Sequence, residues 1–144
     1  MTPQDLDTLF HNISQFDKHL GLEFNIHDAG EVDFLLKIKD HHLSSPQSCH
    51  GGVLAAMMDT VLGLTVLSYS VTVDQLCSTV EFKINMLKEV KLNQTLKAKA
   101  DLDYKGNKIV VASALILDAQ TNEAVAKGLG TFNLYPLSKK NLTL

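Results

Sequence analysis

One carboxylate stands out in this sequence because of the residues around it. Asp59 lies within VLAAMMDTVLGLTVL, a segment that is apolar on nearly every side of a helix. An ionised carboxylate held away from water there costs on the order of several kcal/mol unless partners or solvent compensate it. Two interpretations are open. Asp59 could lie on a narrow polar stripe of the helix, near residues such as Thr60, with a donor hydrogen-bonded to its carboxylate, or the carboxylate could face a cleft where it takes part in a reaction.

A second candidate group immediately precedes this segment. His50 is followed by Gly51 and Gly52, and adjacent glycines usually mark a special backbone angle or the close approach of a ligand to the main chain. At the start of a helix, unpaired N–H groups and the positive end of the dipole suit a developing oxyanion. A glycine pair alone is more often a turn, but a carboxylate in the following helix makes the combination more specific.

The spacing of these two groups limits how they can cooperate. Gly51 and Asp59 are eight residues apart, which corresponds to about 12 Å along a helix. They cannot both contact one carbonyl group of a substrate. If both take part in one reaction, each must come from a different subunit, so the enzyme hypothesis requires an oligomer.

The surrounding pattern predicts an α+β fold with an antiparallel sheet. Residues 4–18 have apolar side chains at helical spacing, which predicts a helix with Thr2 as its N-cap. Apolar and polar residues alternate in 20–38 on either side of a turn at 28–30, which predicts a hairpin. Residues 53–69 are predicted to form a buried helix. Alternating segments separated by polar turns predict four further strands, at 77–87, 96–104, 108–118 and 123–135. A curved sheet of about six strands around one central helix leaves exposed edges, which favours pairing with a second copy.

Bulk properties indicate one domain spanning residues 1–144. The chain has 144 residues with 45% apolar content, and we find neither a secretory signal nor a continuous membrane span, so we expect a cytoplasmic protein. The histidines lack the spacing of a metal site, and we read Cys49 and Cys77 as small buried residues. A net charge of −3 argues against a general nucleic-acid binder.

Positive charge is concentrated in one part of the chain. Residues 83–108 contain seven lysines against three acidic residues, a net charge of +4, whereas residues 1–82 carry −8. The chain has no arginine, so a bound phosphate would be held by lysine charges and backbone N–H groups. The alternative is a set of solvated lysines along strands.

The stretch HGGVLAAMMD, with its carboxylate nine residues after the histidine, resembles the hotdog-fold acyl-CoA thioesterases of the phenylacetic acid pathway. The resemblance covers roughly residues 19–135, including STVEFKINMLK and EAVAKGLGTF. It implies a hotdog fold and an acyl-CoA hydrolase that works as a dimer of dimers, a homotetramer. It also implies that Asp59 is the nucleophile or general base and that the Gly51 N–H polarises the thioester carbonyl.

The sequence departs from that family at positions around the expected site. Ser44 stands where the family usually has Asn or Gln, and Gln47 stands where it usually has Gly. Either residue could therefore help to orient the thioester or the attacking water. Gly63 replaces a hydroxyl residue found in some relatives, a role that Thr60 could take if it faces the same cleft. We expect His50 to position the backbone and not to act as a base.

The resemblance also implies a binding region for the pantetheine arm and nucleotide of coenzyme A, which would enter as part of the substrate with no separate cofactor. The matching positions fall in the lysine-rich region: Met86, Leu87, Lys88, Lys91, Tyr104, Lys105, Gly106, Asn107 and Lys108.

Two other functions fit the same architecture. A hotdog module could bind acyl-CoA without hydrolysing it, or the chain could be an acyl dehydratase or hydratase, which would need a histidine and a carboxylate as acid and base. The sequence does not predict the acyl group.

Overall fold

A six-stranded antiparallel sheet wraps one long helix in the computed structural model, which describes residues 1–139. The helices are α1 (Pro3–Ile13), α2 (Gln15–Leu20) and α3 (Gly51–Ser70). The strands are β1 (Leu22–Asp28), β2 (Glu31–Lys37), β3 (Leu43–Ser45), β4 (Ser48–Cys49), β5 (Gln75–Met86), β6 (Thr95–Lys105), β7 (Ile109–Asp118) and β8 (Ala124–Pro136). The large sheet has the order β1-β2-β6-β7-β8-β5, while β3 and β4 form a small separate hairpin.

The core lies between α3 and the concave face of the sheet. Met57, Met58 and Leu62 of α3 are fully buried, as are Ile116 and Phe132 of the sheet. Alternate residues of the strands point at the helix, which is the period-two pattern of a sheet with one covered face. The predicted α+β hotdog fold is therefore confirmed.

The central helix is longer than the predicted 53–69. It begins at Gly51 and ends at Ser70, so both glycines belong to its first turn. The cause is the N-cap: Nδ1 of His50 accepts a hydrogen bond from the Gly52 N–H at 2.7 Å. This cap offsets the poor helix propensity of the two glycines.

The N-terminal segment corrects the prediction of a single helix over 4–18. Thr2 caps α1 as predicted, accepting from the Asp5 N–H at 3.1 Å. The helix then stops at Ser14, whose non-helical backbone angles separate α1 from α2. The hydroxyl of Ser14 donates to the carboxylate of Asp17 three residues later, the S-x-x-D spacing that often marks a helix start.

The predicted hairpin at 20–38 is confirmed as β1 and β2, with Gly30 at φ 81° in the turn. The following polar segment, predicted as a loop, contains the β3–β4 hairpin.

Helix α3 with the turn that follows it, Gly51–Val73, is long and apolar enough to cross a membrane by length and composition. Half of its most apolar window is buried inside the fold, as for a core helix. Within residues 1–139 it is the one helix that meets those criteria.

Candidate functional site

Asp59 lines a mostly apolar cleft of about 310 Å³ between α1, α2, α3, β5 and β8. The side chain is half-buried in the middle of α3. Leucine and aromatic side chains make up most of the walls, among them Leu6, Leu9, Phe10, Leu64, Leu67 and Phe132. Of the two interpretations of Asp59, the structure therefore favours the carboxylate that faces a cleft.

A residue that the sequence analysis missed holds this carboxylate in place. The hydroxyl of Thr79, on β5, donates to Oδ1 of Asp59 at 3.0 Å. A donor to an ionised carboxylate fixes its orientation and stabilises its charge. No local signal in the sequence connects residues twenty positions apart.

Thr60 also lines the cleft, but its hydroxyl serves a different carboxylate. It donates to Oδ1 of Asp17 at 2.8 Å. Thr79, and not Thr60, therefore orients Asp59. Asp17 lines the same cleft and is the second functional candidate that sequence reasoning missed.

Cys77 shares the cleft with Asp59, so its thiol could be considered as a nucleophile. Burial raises the pKa of the Cys77 thiol to about 12, which keeps the thiol protonated near neutral pH. Both cysteines are half-buried and unpaired.

Gly51 lies in a second cleft, of about 300 Å³, with Met86, Leu87 and Lys88. A Cβ atom at Gly51 would lie 3.0 Å from the sulfur of Met86, so the end of this methionine side chain packs against the first residue of α3. Among the described residues, the two clefts share no lining residue. One chain thus presents its carboxylate and its helix N-terminus at separate places.

Ser44 and Gln47 belong to the small β3–β4 hairpin and are exposed. Gln47 occupies the turn with φ 72° and its carbonyl accepts from the Leu92 N–H at 2.9 Å. Neither residue is among the described residues that line the two clefts.

The predicted coenzyme A contacts fall into two groups at opposite ends of the sheet. The first, at the end of β5, includes Lys88, which pairs with Glu123 at 2.8 Å, and Lys91, which lies 3.8 Å from Glu89. These surface pairs are exposed and individually weak, so a phosphate group could replace the carboxylates.

The second group is the β6–β7 turn with Tyr104, Lys105, Gly106, Asn107 and Lys108. Nζ of Lys105 lies over the ring of Tyr69 at 5.2 Å. The carbonyl of Asn107 accepts from Gln75, at the start of β5, at 3.5 Å. Because β5 has 12 residues, this turn lies about 35 Å from the Met86 end of the strand.

No group of three or more His, Cys, Asp or Glu side chains with metal-binding geometry occurs within residues 1–139.

Comparison with known proteins gives a consistent result. Residues 47–125 match the family described as "Thioesterase superfamily". A relative from Schizosaccharomyces pombe, named "Putative esterase C31F10.02", is 29% identical over 125 residues, covering 85% of this chain and 76% of that protein.

Two solved structures have the same fold. The PaaI protein of the E. coli phenylacetic acid degradation operon has a TM-score of 0.81 and 23% identity, covering 92% of this chain and 91% of that chain. A Streptococcus pneumoniae hypothetical thioesterase, solved with coenzyme A, has a TM-score of 0.71 and 26% identity, covering 80% and 86% respectively.

Proposed function

The chain belongs to the thioesterase superfamily, and we propose that it hydrolyses acyl-CoA to a free acid and coenzyme A. The observation that carries the proposal is the Asp59 carboxylate, held by Thr79 inside an apolar cleft. The S. pneumoniae hypothetical thioesterase was solved with coenzyme A, which supports coenzyme A as the thiol part of the substrate. The apolar walls of the cleft suit an acyl chain.

Two reaction routes fit Asp59. As a nucleophile, the carboxylate attacks the thioester carbon, the C–S bond breaks and coenzyme A leaves as a thiolate; water then hydrolyses the anhydride and releases the proton that the thiolate takes up. As a general base, Asp59 takes a proton from a water molecule whose oxygen attacks the same carbon, the C–S bond breaks, and Asp59 returns the proton to the departing thiolate. In both routes, negative charge develops on the carbonyl oxygen.

The Gly51 N–H is our candidate for stabilising that oxygen. As the first residue of α3 it has no intrahelical acceptor, whereas the neighbouring Gly52 N–H is already bonded to His50. His50 therefore acts as a cap that leaves the Gly51 N–H available. An oxyanion donor of this type contributes about 100- to 1,000-fold to the rate.

The two halves of this site must come from different subunits. Gly51 and Asp59 lie about 12 Å apart along α3 and face separate clefts. Strand β5 borders both clefts, with Thr79 beside Asp59 and Met86 beside Gly51, and it forms an edge of the sheet. Antiparallel pairing of two β5 strands would bring Gly51 of the partner subunit towards Asp59.

The same pairing would unite the two coenzyme A groups. The turn at Tyr104–Lys108 lies near the start of β5, and Met86 to Lys91 lie at and beyond its end. In an antiparallel dimer the start of one β5 approaches the end of the other. We therefore propose that the phosphates bind lysines of both subunits, including Lys88 and Lys91 from one and Lys105 and Lys108 from the other.

Ser44 and Gln47 remain candidates for orienting the thioester or water, with an approach to the site from a partner subunit. A homotetramer, which the resemblance to the family implies, and a cytoplasmic location, which the sequence led us to expect, are further parts of the proposal.

The decisive experiment measures free thiol released from short, medium, long and aromatic acyl-CoAs. Asp59→Asn, which keeps the size of the side chain, should lower kcat by about 100-fold or more. The matched control is Asp33→Asn, at an exposed carboxylate that is not among the described residues lining the cleft, which should keep wild-type activity.

Circular dichroism and the elution volume should show that Asp59→Asn keeps its fold and assembly. Wild-type turnover in that variant would contradict the proposal. Saturable acyl-CoA binding without thiol release would identify a binding module, and hydration of an enoyl-CoA would identify a hydratase. The described residues lining the Asp59 cleft of one subunit include no histidine, but the pairing that brings Gly51 of the partner subunit towards Asp59 would also bring the partner's His50, so the enoyl-CoA assay is needed to separate the two reactions.

A further inference from the structure

The cleft beside Asp59 contains a second carboxylate, which the proposed reaction does not use. Asp17 of α2 is only 5% exposed and lines the cleft. Its Oδ1 accepts from the Thr60 hydroxyl at 2.8 Å, and its Oδ2 accepts from the Ser14 hydroxyl. Both oxygens of the carboxylate are therefore held by hydroxyl groups.

Asp17 and Asp59 line the same cleft, and the hydrogen bond from Thr60 fixes the carboxylate of Asp17 against α3, the helix that carries Asp59. The two hydroxyl donors come from different elements, α3 and the break between α1 and α2. Asp17 is therefore held firmly and cannot turn away from a ligand without breaking both bonds.

Within one subunit, the described residues that line this cleft provide no positive charge to balance these two carboxylates. Of the residues that line it in the described part of the chain, none is a lysine or histidine, and the sequence has no arginine. Lys18, next to Asp17, is exposed and donates to the carbonyl of Asn12 at 3.3 Å. An anionic group in the cleft would meet two fixed negative charges between apolar walls, where charge interactions are weakly screened.

We propose that Asp17 is a specificity-determining residue that restricts the cleft to uncharged acyl groups. This inference rests on the proposed thioesterase function. Acyl groups that end in a carboxylate, as in dicarboxylic acid thioesters, are repelled by Asp17 in addition to Asp59. The acid product becomes an anion in the same cleft, so the same repulsion favours its release.

The test compares two non-hydrolysable thioether analogues of equal length, S-hexyl-coenzyme A and S-(5-carboxypentyl)-coenzyme A. Binding to the wild-type protein is measured by calorimetry at neutral pH. We expect the uncharged analogue to bind at least about tenfold more tightly, the size expected for a unit charge near a fixed carboxylate. Equal affinities in the wild type would overturn the proposal.

Asp17→Asn removes the charge while keeping the shape of the side chain. It should tighten binding of the carboxylated analogue several-fold and change the affinity of S-hexyl-coenzyme A by less than about twofold. Asp33→Asn, the charge-matched control at the surface, should leave the difference in affinity between the two analogues unchanged. If Asp17→Asn weakens both analogues equally, Asp17 has only a structural role and the proposal is wrong.

If Asp17→Asn does not fold, Asp17→Ser removes the same charge with a smaller side chain, and the change in the affinity difference from the wild type to that variant decides. These binding results are separate from turnover. A wild-type protein that shows this difference in affinity but hydrolyses no acyl-CoA would contradict the proposed function and leave the charge selection standing. Failure to bind either analogue would overturn both.

Discussion

Asp59 lies in a cleft whose walls are mostly apolar, and Thr79 is the residue that donates to its carboxylate. A hydrogen bond to a charged group contributes about 1.5–3 kcal/mol. If the bond orients Asp59 for reaction, Thr79→Val should lower kcat by about 10- to 100-fold. Because Thr79 is exposed on β5, stability should change little.

Steady-state kinetics on the best acyl-CoA would check this prediction, with KM and kcat determined separately. Thr79→Ser keeps the hydroxyl and should retain most of the wild-type kcat. A Thr79→Val variant with wild-type kcat would show that the contact does not assist the reaction.

At this scale, sequence reasoning identified residues that carry a local signal. Asp59 was visible as a charge in an apolar segment, and Gly51 as a glycine at a helix start. Thr79 and Asp17 were not visible, because their partners lie 20 and 43 positions away in the chain. Such contacts depend on how β5 and α2 pack against α3, and no local spacing encodes that.

Among the elements, β1 and β2 and the four long strands were predicted well because one face of the sheet is covered and their residues alternate accordingly. The ends of the helices were less predictable. The poor helix propensity of Gly51 and Gly52 led us to predict a later start of α3, but the hydrogen bond that caps the helix at His50 offsets it. Ser14 and Asp17 carried a helix-start signal inside what the apolar spacing indicated as one helix.

The segment that leads from β2 to α3 depends on a buried histidine. His42 is 2% exposed; its Nε2 donates to the Leu20 carbonyl at 2.8 Å, and its Nδ1 accepts from the Lys39 N–H at 3.1 Å. Its own carbonyl accepts from the His50 N–H at 2.8 Å. The neutral imidazole thus fixes the chain just before the Gly51 N–H.

Burial lowers the pKa of His42, and the nearby charges of His41 and Lys39 act in the same direction, against the hydrogen bond to Leu20. The unfolded chain then binds more protons than the folded one just below the ordinary histidine pKa of about 6.5. We expect this part of the stability to be complete above about pH 6.5 and to fall as the pH drops from there through the folded pKa.

Urea unfolding between about pH 5 and 7.5 would measure this dependence. His42→Gln should reduce the slope of the free energy of unfolding against pH in that window. His41→Gln, at the exposed neighbouring residue, should retain most of this slope. An unchanged slope in His42→Gln would show that other groups cause the pH dependence.

For the whole molecule, the unpaired edge of β5 is the most informative feature. Unpaired edges of this length are usually covered, and the separation of Gly51 from Asp59 gives a chemical reason for covering it with a second copy. The sequence predicted that two subunits are needed from the spacing alone. It could not predict how the strands align, because the register depends on which residues share a face of the sheet.

The charges on the outer face of β5 favour one register. In a two-fold antiparallel pair, centring the axis on Glu81 or Lys83 would place like charges directly opposite each other, which is unfavourable. Centring it on Phe82 places Glu81 opposite Lys83 of the partner subunit, twice per dimer. The same register would bring Met86 of the partner subunit close to the end of β5 that lies beside Asp59, as the proposed shared site requires.

A charge exchange would test this register. Glu81→Lys alone should place lysines opposite each other and weaken the dimer, and it should lower activity in proportion if the two subunits share the site as proposed. Adding Lys83→Glu should restore opposite charges at both positions, with recovery of the dimer and of thioesterase activity. Analytical ultracentrifugation and thiol release on the same samples would check both. If the double variant is no more dimeric than Glu81→Lys alone, these two residues do not face each other, and the subunits must align β5 in another register or pair elsewhere.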